Sequence, residues 1–194
     1  MSDSQLQDKW DNRYRAASQP ASPPKVLLEN LHLLPSSGQA LDLACGLGAG
    51  SLLLAEHGLT VDAWDISAVA IEQLTKVANK QQLAIKAVAK NIECSPPEPL
   101  RYDVILVSHF LVREMAATLI EALKPGGLLL YQTFTRVAVS ENGPSNPAYR
   151  LADNELLTLF APLKLRVYQE EGRLGDVTQG CRDIAMLVGE KKIL

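Results

Sequence analysis

From residue 39 onward, short apolar runs alternate with amphipathic stretches of helical period. The runs at 39–44, 59–65, 84–89, 103–107 and 128–134 are too short for helices and are bounded by turn-forming or polar residues, so they read as strands. Between them, residues 51–57, 67–78 and 111–123 read as helices. In the second of these Ile71, Leu74, Val77 and Ala78 share one face. Ser67 stands at its N-cap position, and Gly58 stands where the preceding helix needs a left-handed residue. Strand alternating with helix predicts an α/β fold, a parallel sheet covered on both faces. Pro96, Pro97 and Pro99 leave little or no helix between the third and fourth strands.

Both ends of the chain break this rhythm. Residues 4–16 are polar and predict a helix, and a Ser-Pro-rich break follows at 18–24. Pro23-Pro24 then opens a helix with Val26, Leu27, Leu28, Leu31 and Leu34 as its apolar stripe. Beyond residue 134 comes a loop, 135–151, carrying Gly143-Pro144 and Asn146-Pro147. It is long for a connection, and such loops are often functional. A helix from about Asp153 leads to strands at 165–169 and 183–189, and the link through Gly172, Gly175 and Gly180 predicts that these two pair antiparallel. A chain of 194 residues fits one domain, 1–194, with a core at 38–194 and a helical lid or extension at 1–37.

The chemistry concentrates at the strand ends. Leu41-Asp42-Leu43-Ala44-Cys45-Gly46-Leu47-Gly48-Ala49-Gly50 is an apolar strand, a G-x-G-x-G turn and the start of a helix. Glycines let the backbone approach a ligand, and the helix start offers free N–H groups. The third glycine comes one residue too early for the G-x-G-x-x-G of nicotinamide dehydrogenases. Asp65 ends the next strand, 19 residues after Gly46, where a carboxylate can accept ribose hydroxyls. Its alternative role is to cap the following helix.

Composition narrows the classes. A net charge of −3 and no basic run argue against nucleic acid as partner. Apolar runs fall far short of the roughly 20 residues a membrane span needs, and residues 1–10 do not read as a secretory signal. Cys45, Cys94 and Cys181 form no C-x-x-C pair, and His32, His57 and His109 have no metal-ligand spacing. A cytoplasmic, metal-free protein with no membrane contact is the expectation.

Taken in order, these motifs resemble the class I S-adenosylmethionine-dependent methyltransferases. Asp42 with the glycines matches the family's first motif, and Asp65 its second. Residues 102–108 resemble the fourth, and Lys124-Pro125-Gly126-Gly127 the turn before strand five. The resemblance implies a Rossmann-like three-layer sandwich around a seven-stranded, mostly parallel sheet whose last strand is antiparallel. It also implies S-adenosyl-L-methionine as cofactor. Asp42 and the turn residues Ala44, Cys45, Gly46 and Gly48 would lie along its methionine end and ribose, with Asn91 at the adenine. Ile66, Ile92 and Ser108 complete the expected cofactor-binding set. A finer resemblance, to the tellurite-resistance and thiopurine type of small-molecule methyltransferases, is carried by Trp10-Asp11-Asn12-Arg13-Tyr14 and by Gly143-Pro144-x-Asn146-Pro147. By that analogy Arg13 reaches the cofactor carboxylate and Trp10 and Tyr14 cover the site.

A small-molecule methyl acceptor is then expected: a thiol, an oxyanion such as tellurite or selenite, or a small acid. Candidate acceptor-side residues are His109, Arg113, Tyr149 and Arg150, with His109 as base for an O–H or N–H acceptor and the arginines suited to an anion. Two rivals remain open at this level, a nicotinamide-dependent oxidoreductase on a related sheet and a non-catalytic protein that kept the fold.

Overall fold

The computed structural model describes residues 3–17 and 22–193. Part of the break at 18–24 therefore lies outside the described residues. Seven strands form one sheet, in the order β3-β2-β1-β4-β5-β7-β6. They are β1 (Gln39–Leu43), β2 (Thr60–Asp65), β3 (Ile85–Ala89), β4 (Tyr102–Ser108), β5 (Leu123–Phe134), β6 (Lys164–Gln169) and β7 (Ile184–Glu190). β1 to β5 pair parallel, while β7 runs antiparallel to both β5 and β6. This is the Rossmann-like methyltransferase architecture that the motifs predicted.

Alternation along β1 explains the layers. Leu41 and Leu43 point into one core, with Ile105 and Val107 of β4, and α5 (Ala116–Ala122) and α6 (Glu155–Leu159) cover it. Ala40 points into the other, with Val61, Val104 and Leu106, beneath α2 (Lys25–Asn30), α3 (Ala49–Glu56) and α4 (Ala68–Gln81). Strands buried on both faces need apolar side chains at nearly every position, and the runs in β1 and β4 supply them. The proline-rich segment after β3 forms no helix, so the β2–β3 end of the first face stays thinly covered. A cavity of about 280 Å³ lies there among Trp64, Val88, Lys90, Arg101 and Tyr102, away from the glycine turn.

Three boundaries differ from the sequence reading. β5 begins at Leu123, because Leu123 already pairs with Tyr102; the register then shifts over Lys124-Pro125-Gly126-Gly127, beside which Asp103 accepts from Gln39 N at 2.8 Å and Lys124 Nζ at 2.7 Å. The helix expected at 111–123 shrinks accordingly to a 3-10 turn and α5. Residues 1–37 are not one lid. α1 (Asp3–Ala16) lies over the glycine turn, but α2 is a core helix with Val26 and Leu27 fully buried and Val26 N donating to Gln132 Oε1 at 2.8 Å.

Gly48 caps α3 at φ +81°, and a Cβ there would fall 2.3 Å from the buried Leu74 Cδ1. Gly48→Ala should therefore destabilise the unliganded protein by roughly 1–3 kcal/mol through overpacking and left-handed strain, read as a lower urea midpoint at unchanged slope.

Candidate active site

The chain turns sharply at two adjacent strand ends. Ala44 follows β1 at φ +58°, and His109 follows β4 at φ +55°. Left-handed backbone costs a side-chain-bearing residue of order 1 kcal/mol, and such strain gathers at functional sites. β1 lies between β2 and β4, so these ends flank the point where the strand order reverses, the usual ligand crevice of an open α/β sheet.

On the β1–β2 side, Asp65 is buried and uses both carboxylate oxygens. Oδ2 accepts Gly46 N and Oδ1 accepts Ser67 N, each at 2.8 Å. Ser67 is the N-cap of α4, with its Oγ accepting from Ala70 N at 3.2 Å. Asp65 therefore fixes the glycine turn and the start of α4 together. Burial raises its pKa, while the Gly46 and Ser67 amides oppose that shift. Asp42 sits behind the turn, 3% exposed, with Ser51 Oγ donating to it at 2.7 Å. Its carboxyl is pushed up to about 6, chiefly by desolvation and only partly offset by Ser51. Cys45 shares this setting, and burial beside Asp42 and Asp65 raises its thiol well above the usual value, which disfavours the thiolate a nucleophile needs.

α1 closes this side. Tyr14 lies on the turn, so close that a Cβ on Gly46 would fall 2.7 Å from its hydroxyl. Trp10 stacks on Tyr14 at 5.9 Å between centroids, and the Arg13 guanidinium lies 5.4 Å from the Trp10 ring. Beyond β3, Asn91 Oδ1 accepts Glu93 N at 3.0 Å in a local turn, Ile92 is buried in the core, and Ile66 is half-buried beside Asp65.

On the β4–β5 side, the His109 ring packs on Phe134 at 4.8 Å, and Ser108 Oγ lies 2.9 Å from its Nδ1. Desolvation lowers the His109 pKa, which favours neutral imidazole. The two arginines assigned to the acceptor are spent otherwise. Arg113 donates to both Glu155 carboxylate oxygens and to the Ala148 and Arg150 carbonyls. Arg150 donates to the carbonyls of Thr135, Asn142 and Pro144. These guanidiniums clamp the loop after β5 into a compact body, which corrects their reading as free anion ligands. Tyr149 stands 58% exposed on that loop.

Residues 40–127 match the methyltransferase domain family. A ubiquinone biosynthesis O-methyltransferase from Coxiella burnetii is 33% identical over 101 residues, covering 50% of this chain and 43% of that protein. The chain thus spans less than half the length of the curated relatives it matches. Residues 40–127 are similar to a methyltransferase domain, and the match takes in the glycine turn, Asp65 and β4. Among solved structures, TehB from Haemophilus influenzae superposes with a TM-score of 0.71 at 22% identity, over 96% of this chain and 67% of that one. Geranyl diphosphate C-methyltransferase from Streptomyces coelicolor A3(2), bound to S-adenosyl-L-homocysteine, gives 0.71 at 12% identity, over 97% of each chain.

S-adenosylmethionine is the cofactor of this family, and the residues of the methyltransferase domain fit it. The Tyr14 hydroxyl has no hydrogen-bond partner among the described residues, although it sits beside a turn of backbone amides and two buried acids. Carboxylates, which only accept, are the complement of a cationic sulfonium and ammonium and of ribose hydroxyls. The residue that sequence reasoning missed is Asp11. It was seen only within the Trp10–Tyr14 motif, and a carboxylate in mid-helix carries no signal of its own partner. Gln132, which pins α2 to β5, went unremarked for the same reason.

Asp42 makes the stability of the fold depend on pH. Its folded pKa, about 6, exceeds the ordinary 3.8, so between these values the folded state holds a proton that the unfolded state has lost. Stability of the unliganded protein should fall as pH rises through that window and stay level above it. Asp42→Asn should raise stability at pH 7.5 by roughly 1–3 kcal/mol and flatten the 4–6 window in denaturant titrations, while weakening cofactor binding.

Proposed function

We propose that this domain transfers a methyl group from S-adenosylmethionine to the hydroxyl oxygen of a small, uncharged acceptor, with His109 as the base. The observation that carries the reading is the contrast on the β4–β5 side. Every guanidinium nitrogen of Arg113 and Arg150 donates to a carbonyl or to Glu155, whereas His109 is exposed and desolvation shifts its pKa toward the neutral imidazole. The N–H donors of both guanidiniums are thus committed, so neither has a free fork to offer an oxyanion or carboxylate, and a group able to take a proton stands nearby. The O-methyltransferase name of the sequence relatives supports oxygen as the acceptor atom.

When bound, the cofactor supplies an electrophilic methyl on a sulfonium. Asp65 and Asp42 would hold its ribose and cationic end, Gly46 and Gly48 would lie against its backbone-facing side, and Asn91 and Ile92 would border the adenine. With Nδ1–H donating to Ser108 Oγ, the His109 Nε2 lone pair is free to take the acceptor's hydroxyl proton as the oxygen attacks. The clamped loop 135–151 and α1 exclude water from the pair, so that positioning provides most of the acceleration. A thiolate or oxyanion acceptor, as the tellurite-type resemblance suggests, would need no base.

A panel of phenols, catechols, thiols, selenite and tellurite with methyl-labelled cofactor tests the reading. On a phenolic acceptor His109→Gln should lower kcat by about 10²–10⁴-fold and leave S-adenosylhomocysteine affinity within twofold. The acid limb of the wild-type rate profile should lie below the ordinary histidine value of about 6.5 and vanish in the variant. Turnover confined to selenite or thiols, unaffected by His109→Gln, would remove both the hydroxyl acceptor and the base.

A further inference from the structure

α1 is held to the rest of the protein in an unusual way. Its 14 residues bury only one side chain, and that side chain is Asp11. A helix docked by the hydrophobic effect buries an apolar stripe. Here the buried group is a carboxylate, 7% exposed, in the middle of an otherwise polar helix. Burying a charge costs free energy unless hydrogen bonds replace its water, so its partners define what the contact is for.

Those partners all belong to one place. Asp11 Oδ1 accepts Ser67 Oγ at 2.5 Å and Val69 N at 3.2 Å. Ser67 caps α4, and its own amide donates to Asp65, whose other oxygen holds Gly46 N. An unbroken relay therefore runs from α1 through Ser67 and Asp65 to the glycine turn. Negative charge at the start of α4 is also favoured by the free N–H groups and dipole of that helix. One turn further along α1, Tyr14 lies on Gly46, and Gln73 Nε2 of α4 donates to the Tyr14 carbonyl at 3.4 Å.

We infer that Asp11 is a positioning residue: its hydrogen bonds to Ser67 and Val69 latch α1 over the cofactor site and set how long the cofactor stays. This rests on the cofactor reading above and adds to it a residue that touches neither reactant. A polar latch suits a part that has to open, because water can take over each bond as α1 lifts, whereas an apolar stripe would have to be exposed. Tyr14 is what the latch positions. With Asp11 engaged, its ring closes the turn; with Asp11 released, it leaves with the helix. Trp10, stacked on Tyr14, moves with it and reports the motion.

The test uses the full chain, with S-adenosylhomocysteine as probe, in wild type, Asp11→Asn and Asp11→Ala. Asparagine keeps one acceptor oxygen and alanine keeps none, so affinity should fall in that order, by roughly tenfold or more for alanine. The loss should lie in the dissociation rate. Hydrogen exchange at the Val69 amide should quicken in Asp11→Ala while the β1 and β4 amides stay protected, which separates an opened latch from an unfolded protein. In a Trp64→Phe background, Trp10 is the remaining tryptophan, and its emission should change on ligand binding in wild-type α1 and less in Asp11→Ala. A deprotected Val69 with unchanged affinity and dissociation rate would overturn the latch. A wild-type chain that binds no S-adenosylhomocysteine would overturn the cofactor reading, and the latch with it.

Discussion

The Asp65 carboxylate joins three segments that the chain otherwise keeps apart. The turn after β1 must expose backbone N–H groups if it is to face a ligand, and a buried N–H without a partner is costly. Asp65, at the end of the neighbouring parallel strand, accepts that of Gly46 and with its second oxygen accepts Ser67 at the start of α4. Ser67 in turn donates to Asp11 of α1. The shape of the turn, the origin of a 14-residue helix and the seat of the N-terminal helix thus depend on one side chain. Displacing it would disturb the turn and the origin of α4 directly, and α1 through Ser67.

Electrostatics at the same edge work against the folded state. Asp42, Asp65 and Asp11 are all buried within this crevice and its border, and none is opposed by a lysine or arginine in an ion pair among the described residues. Desolvation raises the pKa of both Asp42 and Asp65. A site that stores uncompensated negative charge is less stable empty than an amide-lined one would be, and it gains most from a ligand carrying positive charge. Stability and function pull in opposite directions here, as they commonly do where a local rule of folding is broken.

The acceptor side is built on the opposite principle. Its cations are fully engaged, its loop is closed by a bridge between Thr135 and Leu151, and Gly143 packs so tightly on Phe134 that a Cβ would come within 2.7 Å of the ring. The two sides of the crevice thus differ in how they are fastened: carbonyl-to-guanidinium bonds and close packing on this one, and a helix docked mainly through the hydrogen bonds of one buried carboxylate on the other.

Much of this was legible in the residues. The period-2 and period-3.6 patterns placed every strand and gave the antiparallel last pair, since alternation and turn residues are local properties. The glycine turn and Asp65 were legible too, because their spacing reflects one strand, one helix and the next strand of nearly fixed length. Even the missing helix after β3 was written in Pro96, Pro97 and Pro99. The sequence by itself therefore determined the fold and the edge of the sheet where the site would be. It could not tell a free arginine from a spent one. Arg113, Arg150 and Asp11 look like any exposed charged residues in a string, and their roles depend on carbonyls, amides and a serine that lie 6 to 58 residues away. Only the tertiary structure chose those partners, because a charged group takes whichever hydrogen bonds the packed chain brings within about 3 Å, and that proximity is not encoded at any one position.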